Sequence, residues 1–241
     1  MPPLTNTAVL ALVYGDHLAE ILTHASKPAT PTLDRIVDEG VTTGLMLTPS
    51  ELTSAAGAAS LCPQVYQMAV SITSASGIVS LPAEDTAAEL ANPSPGTRVF
   101  LIDAGSDLHL AEAAVTEAAA AFPARFKHEP TRASNPDVAP TASAIIGVML
   151  VGRGEWDDML PSPRRKGPCC DFPLPRQSFE TGDEETQLAG FVAWSGEGLV
   201  RRDDRTRLGH AGSAPGESFL RLEQAVAEPL SKTGLLKKYG A

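Results

Sequence analysis

The sequence predicts an α/β fold: a mainly parallel or mixed sheet flanked by helices, with an irregular insertion and a β-hairpin in the C-terminal third. Three observations carry that expectation. Residues 97–122 read TRVFLID, then AGSD, then LHLAEAAVTEAAAAF: an apolar run, a small polar turn and an Ala-rich amphipathic run. That is the strand–loop–helix unit from which α/β domains are built. Short apolar runs also alternate with helix-period segments through the first 151 residues. Finally, residues 7–14 (TAVLALVY) and 141–151 (TASAIIGVMLV) are apolar enough to be buried strands, the second a central one.

The elements follow in order. Gly15 breaks the first strand, and Asp16 can cap a helix whose Leu18, Ile21, Leu22 and Ala25 share one face. Pro28 and Pro31 end it. Residues 32–39 form a second short helix, with Gly40 placed where a left-handed residue is wanted, and 41–47 are the next strand. Thr48-Pro49-Ser50-Glu51 is a helix start: Thr48 caps, Pro49 takes the first helical position, and Glu51 lies three residues after the cap. This helix should run to about Leu61.

Residues 65–72 read as a weaker strand, alternating Val65, Gln67 and Ala69 with Tyr66, Met68 and Val70. A Ser-rich turn leads to a short strand at 78–81. A helix at 82–91 is stopped by Asn92-Pro93-Ser94-Pro95-Gly96. In the strand–loop–helix unit, Leu108, Ala111, Val115, Ala118 and Phe122 make one stripe, with Glu112 and Glu117 outside it. Residues 125–140, polar and holding three prolines, are a loop with at most an edge strand near Phe126.

Residues 152–187 have no sustained period and are rich in Pro, Gly and charge, which suits a lid or insertion. Residues 188–194 and 199–202 read as the hairpin, and 203–217 as a polar loop. Residues 218–238 are a closing amphipathic helix with breaks at Pro229 and Gly234. The domain reading is therefore an α/β core at 1–151, an irregular lid or insertion at 152–187, and a hairpin and helix at 188–241 completing the same domain.

The 241 residues suffice for a sizeable core, and with only 5% aromatics that core is built from small aliphatic side chains. Net charge is −10, from Lys+Arg 19 against Asp+Glu 29. An acidic surface repels phosphate backbones and anionic lipid, so nucleic acid and membrane are not expected partners. Most cations fall after residue 100, in Arg164-Arg165-Lys166 and between Arg201 and Arg207, and read as solvated loops. No run is long enough to span a bilayer, the N-terminal apolar run is too short for a signal segment, and three cysteines argue against a disulfide framework. The expected setting is the cytoplasm.

Parallel strands would bring their C-terminal ends to one edge, where ligands of open α/β sheets gather. Those ends carry Tyr14-Gly15-Asp16-His17, Asp103-Ala104-Gly105-Ser106-Asp107 and Gly152-Arg153-Gly154-Glu155. The candidate catalytic residues are Asp103, His17, Arg153 and Glu155; the candidate ligand-binding residues are Gly105, Ser106 and Asp107. Carboxylates, a histidine and an arginine so converged could bind a divalent metal through oxygens or polarise a small anionic substrate. Each has a plainer role beside it: Asp16 and Asp107 as helix caps, His17 as a first-turn surface residue, Trp156 and Trp194 as packing.

The phosphate-loop patterns are absent: residues 103–109 hold one glycine where a dinucleotide fingerprint needs three, and no GxxxxGK[ST] occurs. No G-x-S-x-G elbow is present for Ser195 or Ser213. Cys169-Cys170 are poorly spaced for zinc but stand near Arg164–Lys166, which favours thiolate. No metal site is expected, and no cofactor is indicated. Two functions compete. One is a small-molecule-binding protein or an enzyme acting on a small polar or anionic substrate, its site at the strand C-termini around Asp103, Ser106 and Asp107, with 152–187 as a lid carrying Arg153 and Glu155. The other is a non-catalytic assembly subunit working through protein–protein contacts, including a homo-oligomer.

Overall fold

The computed structural model of the chain describes residues 7–24, 28–56, 61–73, 77–122, 144–154, 156, 187–196, 208 and 219–236. Its centre is a seven-stranded mixed sheet. The strands are β1 (Thr7–Tyr14), β2 (Val41–Leu47), β3 (Ile78–Pro82), β4 (Val99–Asp103), β5 (Ala144–Val151), β6 (Gln187–Gly196) and β7 (Phe219–Arg221). They lie in the order β3-β4-β1-β5-β6-β2-β7. β3, β4, β1 and β5 are mutually parallel. β6 is antiparallel to both β5 and β2, and β2 is parallel to β7, so β6 alone is reversed.

Helices cover both faces. On one face lie α1 (Leu18–Thr23), α2 (Pro31–Glu39), α5 (Thr86–Ala91) and α6 (Leu108–Ala121); on the other lie α3 (Pro49–Ala56), α4 (Leu61–Thr73) and α7 (Leu222–Lys232). This explains the unbroken apolar run of β1. Val9, Ala11 and Val13 pack under the first layer, while Ala8, Leu10, Leu12 and Tyr14 pack under the second. A strand buried on both faces has no solvent side to mark with polar residues. β5 has the same character and is the middle strand of the order.

The unit at 97–122 forms as expected, and Leu108, Ala111, Val115 and Ala118 are all buried against the sheet. The helix start at Thr48 is a reciprocal capping box: Glu51 N–H donates to Thr48 Oγ1 at 3.2 Å, and Thr48 N–H donates to Glu51 Oε2 at 2.8 Å. Glu112, outside the α6 stripe, caps a different helix. Its two carboxylate oxygens accept from Thr32 N–H (2.7 Å) and Leu33 N–H (2.9 Å), in the first turn of α2.

Several expectations are corrected. Residues 65–72 belong to α4, because Leu61, Cys62, Val65 and Ala69 recur at helical spacing and are the residues buried. The helix starting at Pro49 closes by Ala56, with α4 separate from it. β6 contains 188–194, but its two hydrogen-bonding edges are taken by β5 and β2, which leaves none for a hairpin with 199–202. The closing helix is preceded by β7, three residues too short to show a period; it passes through Pro229 and ends at Lys232, two residues before Gly234 (φ +73°).

Gly40 is extended rather than left-handed, at φ −106° and ψ −160°. It is needed for space, since a Cβ there would strike the carbonyl oxygens of Trp194 and Ile36. The expected loop with an edge strand near Phe126 lies outside the described residues, as do 157–186 and 209–218 of the irregular segments. Among the described residues no helix is long and apolar enough to cross a membrane.

Candidate functional site

The C-terminal ends of β1 and β4 are knitted together beyond the sheet itself. Ala104 N–H donates to Leu12 O (3.0 Å), Tyr14 N–H to Gly105 O (2.7 Å), and Gly15 N–H to Val151 O (3.1 Å). The ladder thus continues past Asp103 and fixes the β4–α6 loop against the β1–α1 loop. Gly105 sits at φ +56°, in the left-handed region that a side chain resists. Nothing crowds the point where its Cβ would stand, so backbone conformation is the reason for glycine.

Asp103 holds this arrangement. Its Oδ1 accepts from Gly105 N–H at 3.0 Å, and its carboxylate also accepts the Tyr14 hydroxyl hydrogen. Burial pushes the Tyr14 phenol up to about 12, and the Asp103 charge and hydrogen bond push the same way. Tyr14 is therefore a fixed donor at neutral pH. Behind the pair, buried Cys62 lies 3.1 Å from the Ser80 hydroxyl. Burial raises its thiol to about 11, while the Ser80 bond lowers it and the Asp103 charge raises it. Such a thiol stays protonated and unreactive.

Above this floor opens a cleft of about 520 Å³, lined by Tyr14, Gly15, Asp16, His17, Leu18, Ile21, Gly105 and Ser106. Asp16 and His17 supply its charge-bearing side chains, and Leu18 and Ile21 an apolar wall. Ile21 is 40% exposed, and it is the large hydrophobic side chain left exposed among the described residues.

The candidates therefore separate. His17, Gly105 and Ser106 line the cleft. Asp103 lies beneath it and acts on it through Gly105 and Tyr14. Asp107 caps α6, its Oδ1 accepting from His109 N–H (2.7 Å) and Leu110 N–H (3.3 Å). Two amides in the first turn of α6 are thereby occupied. Arg153 approaches Asp16 at 3.7 Å, with both side chains half exposed. It lines a neighbouring hollow of about 390 Å³ against α3 and the start of β6. Glu155 lies outside the described residues, as do Cys169, Cys170 and Ser213.

Asp16 does not cap α1: His17 occupies that position, its side chain making no cap bond to the helix amides and meeting the Glu20 carboxylate in the first turn at 3.2 Å. Both tryptophans pack. Trp156 donates from Nε1 to Gly152 O (2.8 Å) and meets Phe191 edge-on at 6.1 Å, and Trp194 fills the space over Gly147. Ser195 is buried inside β6. Among the described residues no group of three His, Cys, Asp or Glu side chains is placed to hold a metal.

Sequence reasoning missed the cleft roles of Tyr14, Leu18 and Ile21. The signal for Tyr14 was its hydroxyl at the end of an otherwise apolar strand. For Ile21 there was none, because a helical stripe does not tell which of its members the core leaves uncovered. Comparison of the chain with protein-family models, with curated proteins and with solved structures finds no match.

Proposed function

We propose that this chain is a small-molecule-binding α/β protein whose ligand sits in the cleft between the β1–α1 and β4–α6 loops. The observation that carries the reading is the coincidence of three features at one place. A cleft of about 520 Å³ stands at the carboxyl edge of parallel strands, its floor is fixed by the Asp103–Gly105–Tyr14 bonds, and the exposed Ile21 forms its wall. His17, Gly105 and Ser106 are the ligand contacts in this reading, joined by Asp16, and Asp103 is a positioning residue. Arg153 pairs with Asp16 from the adjoining hollow, and Asp107 caps α6. A cytoplasmic, reducing setting suits the free thiol of Cys62.

The test is a thermal-shift panel of small amines, polyols, carboxylic acids and nucleotides. A ligand at 100 times its Kd adds roughly 2.7 kcal/mol of stability. Ser106→Trp places an indole in the cleft from an exposed position and should abolish that gain while leaving the unliganded melting temperature near wild type. Stabilisation that survives Ser106→Trp would move the ligand elsewhere.

A second reading, the assembly subunit, is favoured by one observation. β3 is an edge strand whose outer side has no partner among the described residues, and it carries no charged side chain. Such edges invite pairing with another strand. Light scattering that shows a strict monomer at all concentrations would remove the self-assembling form of this reading.

A further inference from the structure

Resting on the second, assembly reading, we infer that β3 pairs antiparallel with the β3 of a second copy of this chain, joining two seven-stranded sheets edge to edge about a twofold axis. The neighbouring strand fixes which backbone groups are free. β3 runs parallel to β4 with Ile78 beside Val99, and Val99 N–H donates to Gly77 O at 3.0 Å. Gly77, Val79 and Leu81 therefore turn their backbone groups toward β4, and Ile78 and Ser80 turn theirs outward. Pro82 closes the strand with an outward carbonyl and no N–H to leave unpaired. Among the described residues nothing pairs with this side. With Ser80 on the axis, the two Ser80 residues exchange both of their bonds, and each Ile78 N–H meets the Pro82 carbonyl of the other copy. Every outward N–H of both strands is then satisfied.

Charge selects a second copy as the occupant. A twofold axis sets a surface against itself, so a chain carrying −10 meets its own image at least cost where that surface is uncharged. β3 (IVSLP) and the 13 residues of α4 that pack beside it (LCPQVYQMAVSIT) hold no charged side chain. Cys62 faces Ser80 from α4 at 3.1 Å, and Tyr66 and Val70, both partly exposed, continue that side of the helix. The two α4 helices would flank the axis and add apolar contact to the backbone bonds. The far edge of the sheet is built differently. β7 has three residues, one of them Arg221, and shortness and charge are the usual devices that keep an edge from pairing. β3 is of ordinary strand length and has no charge.

The experiment follows the full chain over a concentration series by light scattering and by amide hydrogen exchange. The expected mass rises from 25.2 kDa toward twice that value. In step with it, exchange at Ile78 and Ser80 should slow at least about tenfold, while Val79 and Leu81, held by β4, stay slow throughout. Ser80→Pro removes an outward N–H and leaves the inward ladder intact, so it should hold the chain at monomer mass with Val79 and Leu81 still protected. Ser80→Lys leaves the backbone untouched, sets like charges together across the axis, and should weaken the dimer at least about tenfold even if the proline variant unfolds β3. A dimer in which Ile78 and Ser80 exchange as fast as in the monomer, or which survives Ser80→Lys unweakened, would overturn the β3 pairing and leave the assembly reading standing. Slow exchange of both amides in a monomer would overturn it too, since the chain's own residues would then cover the edge. A strict monomer with both amides exchanging freely at every concentration removes the pairing and the self-assembling reading together.

Discussion

Asp103 fixes the floor of the cleft without being one of the residues that line it. It ends a buried strand, and its carboxylate is spent on Gly105 N–H and the Tyr14 hydroxyl, which shapes the loop that floors the cleft. The sequence marked it as a carboxylate closing an apolar run; its bond to the Tyr14 hydroxyl was not legible, because that partner comes from another strand. Asp107 is the opposite case, a cap by position and a cap in fact. The Tyr14 and Cys62 protons give this cluster a measurable signature. Both groups hold a proton more tightly when folded, with values raised from 10.0 to about 12 and from 9.0 to about 11. Their contribution to stability is therefore complete below pH 9 and is lost as pH climbs from about 9 through 12. An ultraviolet titration should show one tyrosine ionising near 12, and Tyr14→Phe should remove that late step. A late step that persists in Tyr14→Phe would contradict the assignment.

Among the elements, the contrast between α6 and α4 is instructive. In α6 the apolar stripe at 108, 111, 115 and 118 fits only a helix, and the helix is there. Residues 65–72 fit two periods at once, and local alternation cannot choose between them; the packing of Leu61, Val65 and Ala69 on the sheet does. Gly40 reads as left-handed in the sequence and is extended in the structure, because close approach of the Trp194 backbone and left-handed backbone call for the same residue. The α2 cap supplied by Glu112 lies 80 residues away in sequence and leaves no local trace. Glu112→Ala removes both acceptors from the first turn of α2 and should cost about 1 kcal/mol, a fall of roughly 2–4 °C in melting temperature for a chain of this size. Calorimetry showing no change would mean that water replaces the carboxylate fully.

At the scale of the whole molecule, the alternation of strands and helices announced the α/β class, while the order of the strands stayed hidden. β2 crosses past β5 and β6 to pair with β6 and β7, and its connection to β3 returns over the opposite face to the far edge. Connections of that length reach either edge, so sequence period alone does not select one. What the order produces is a row of parallel strand ends, β3, β4, β1 and β5, with the cleft over the junction of β1 and β4. The central claim is that this junction is where the molecule meets a ligand. Amide chemical-shift mapping with the mixed panel of small amines, polyols and acids tests it most directly. The account predicts perturbations concentrated at residues 14–18, 21, 105 and 106 and absent in Ser106→Trp; perturbations confined to another surface, such as the β3 edge, or seen for no compound, would contradict it.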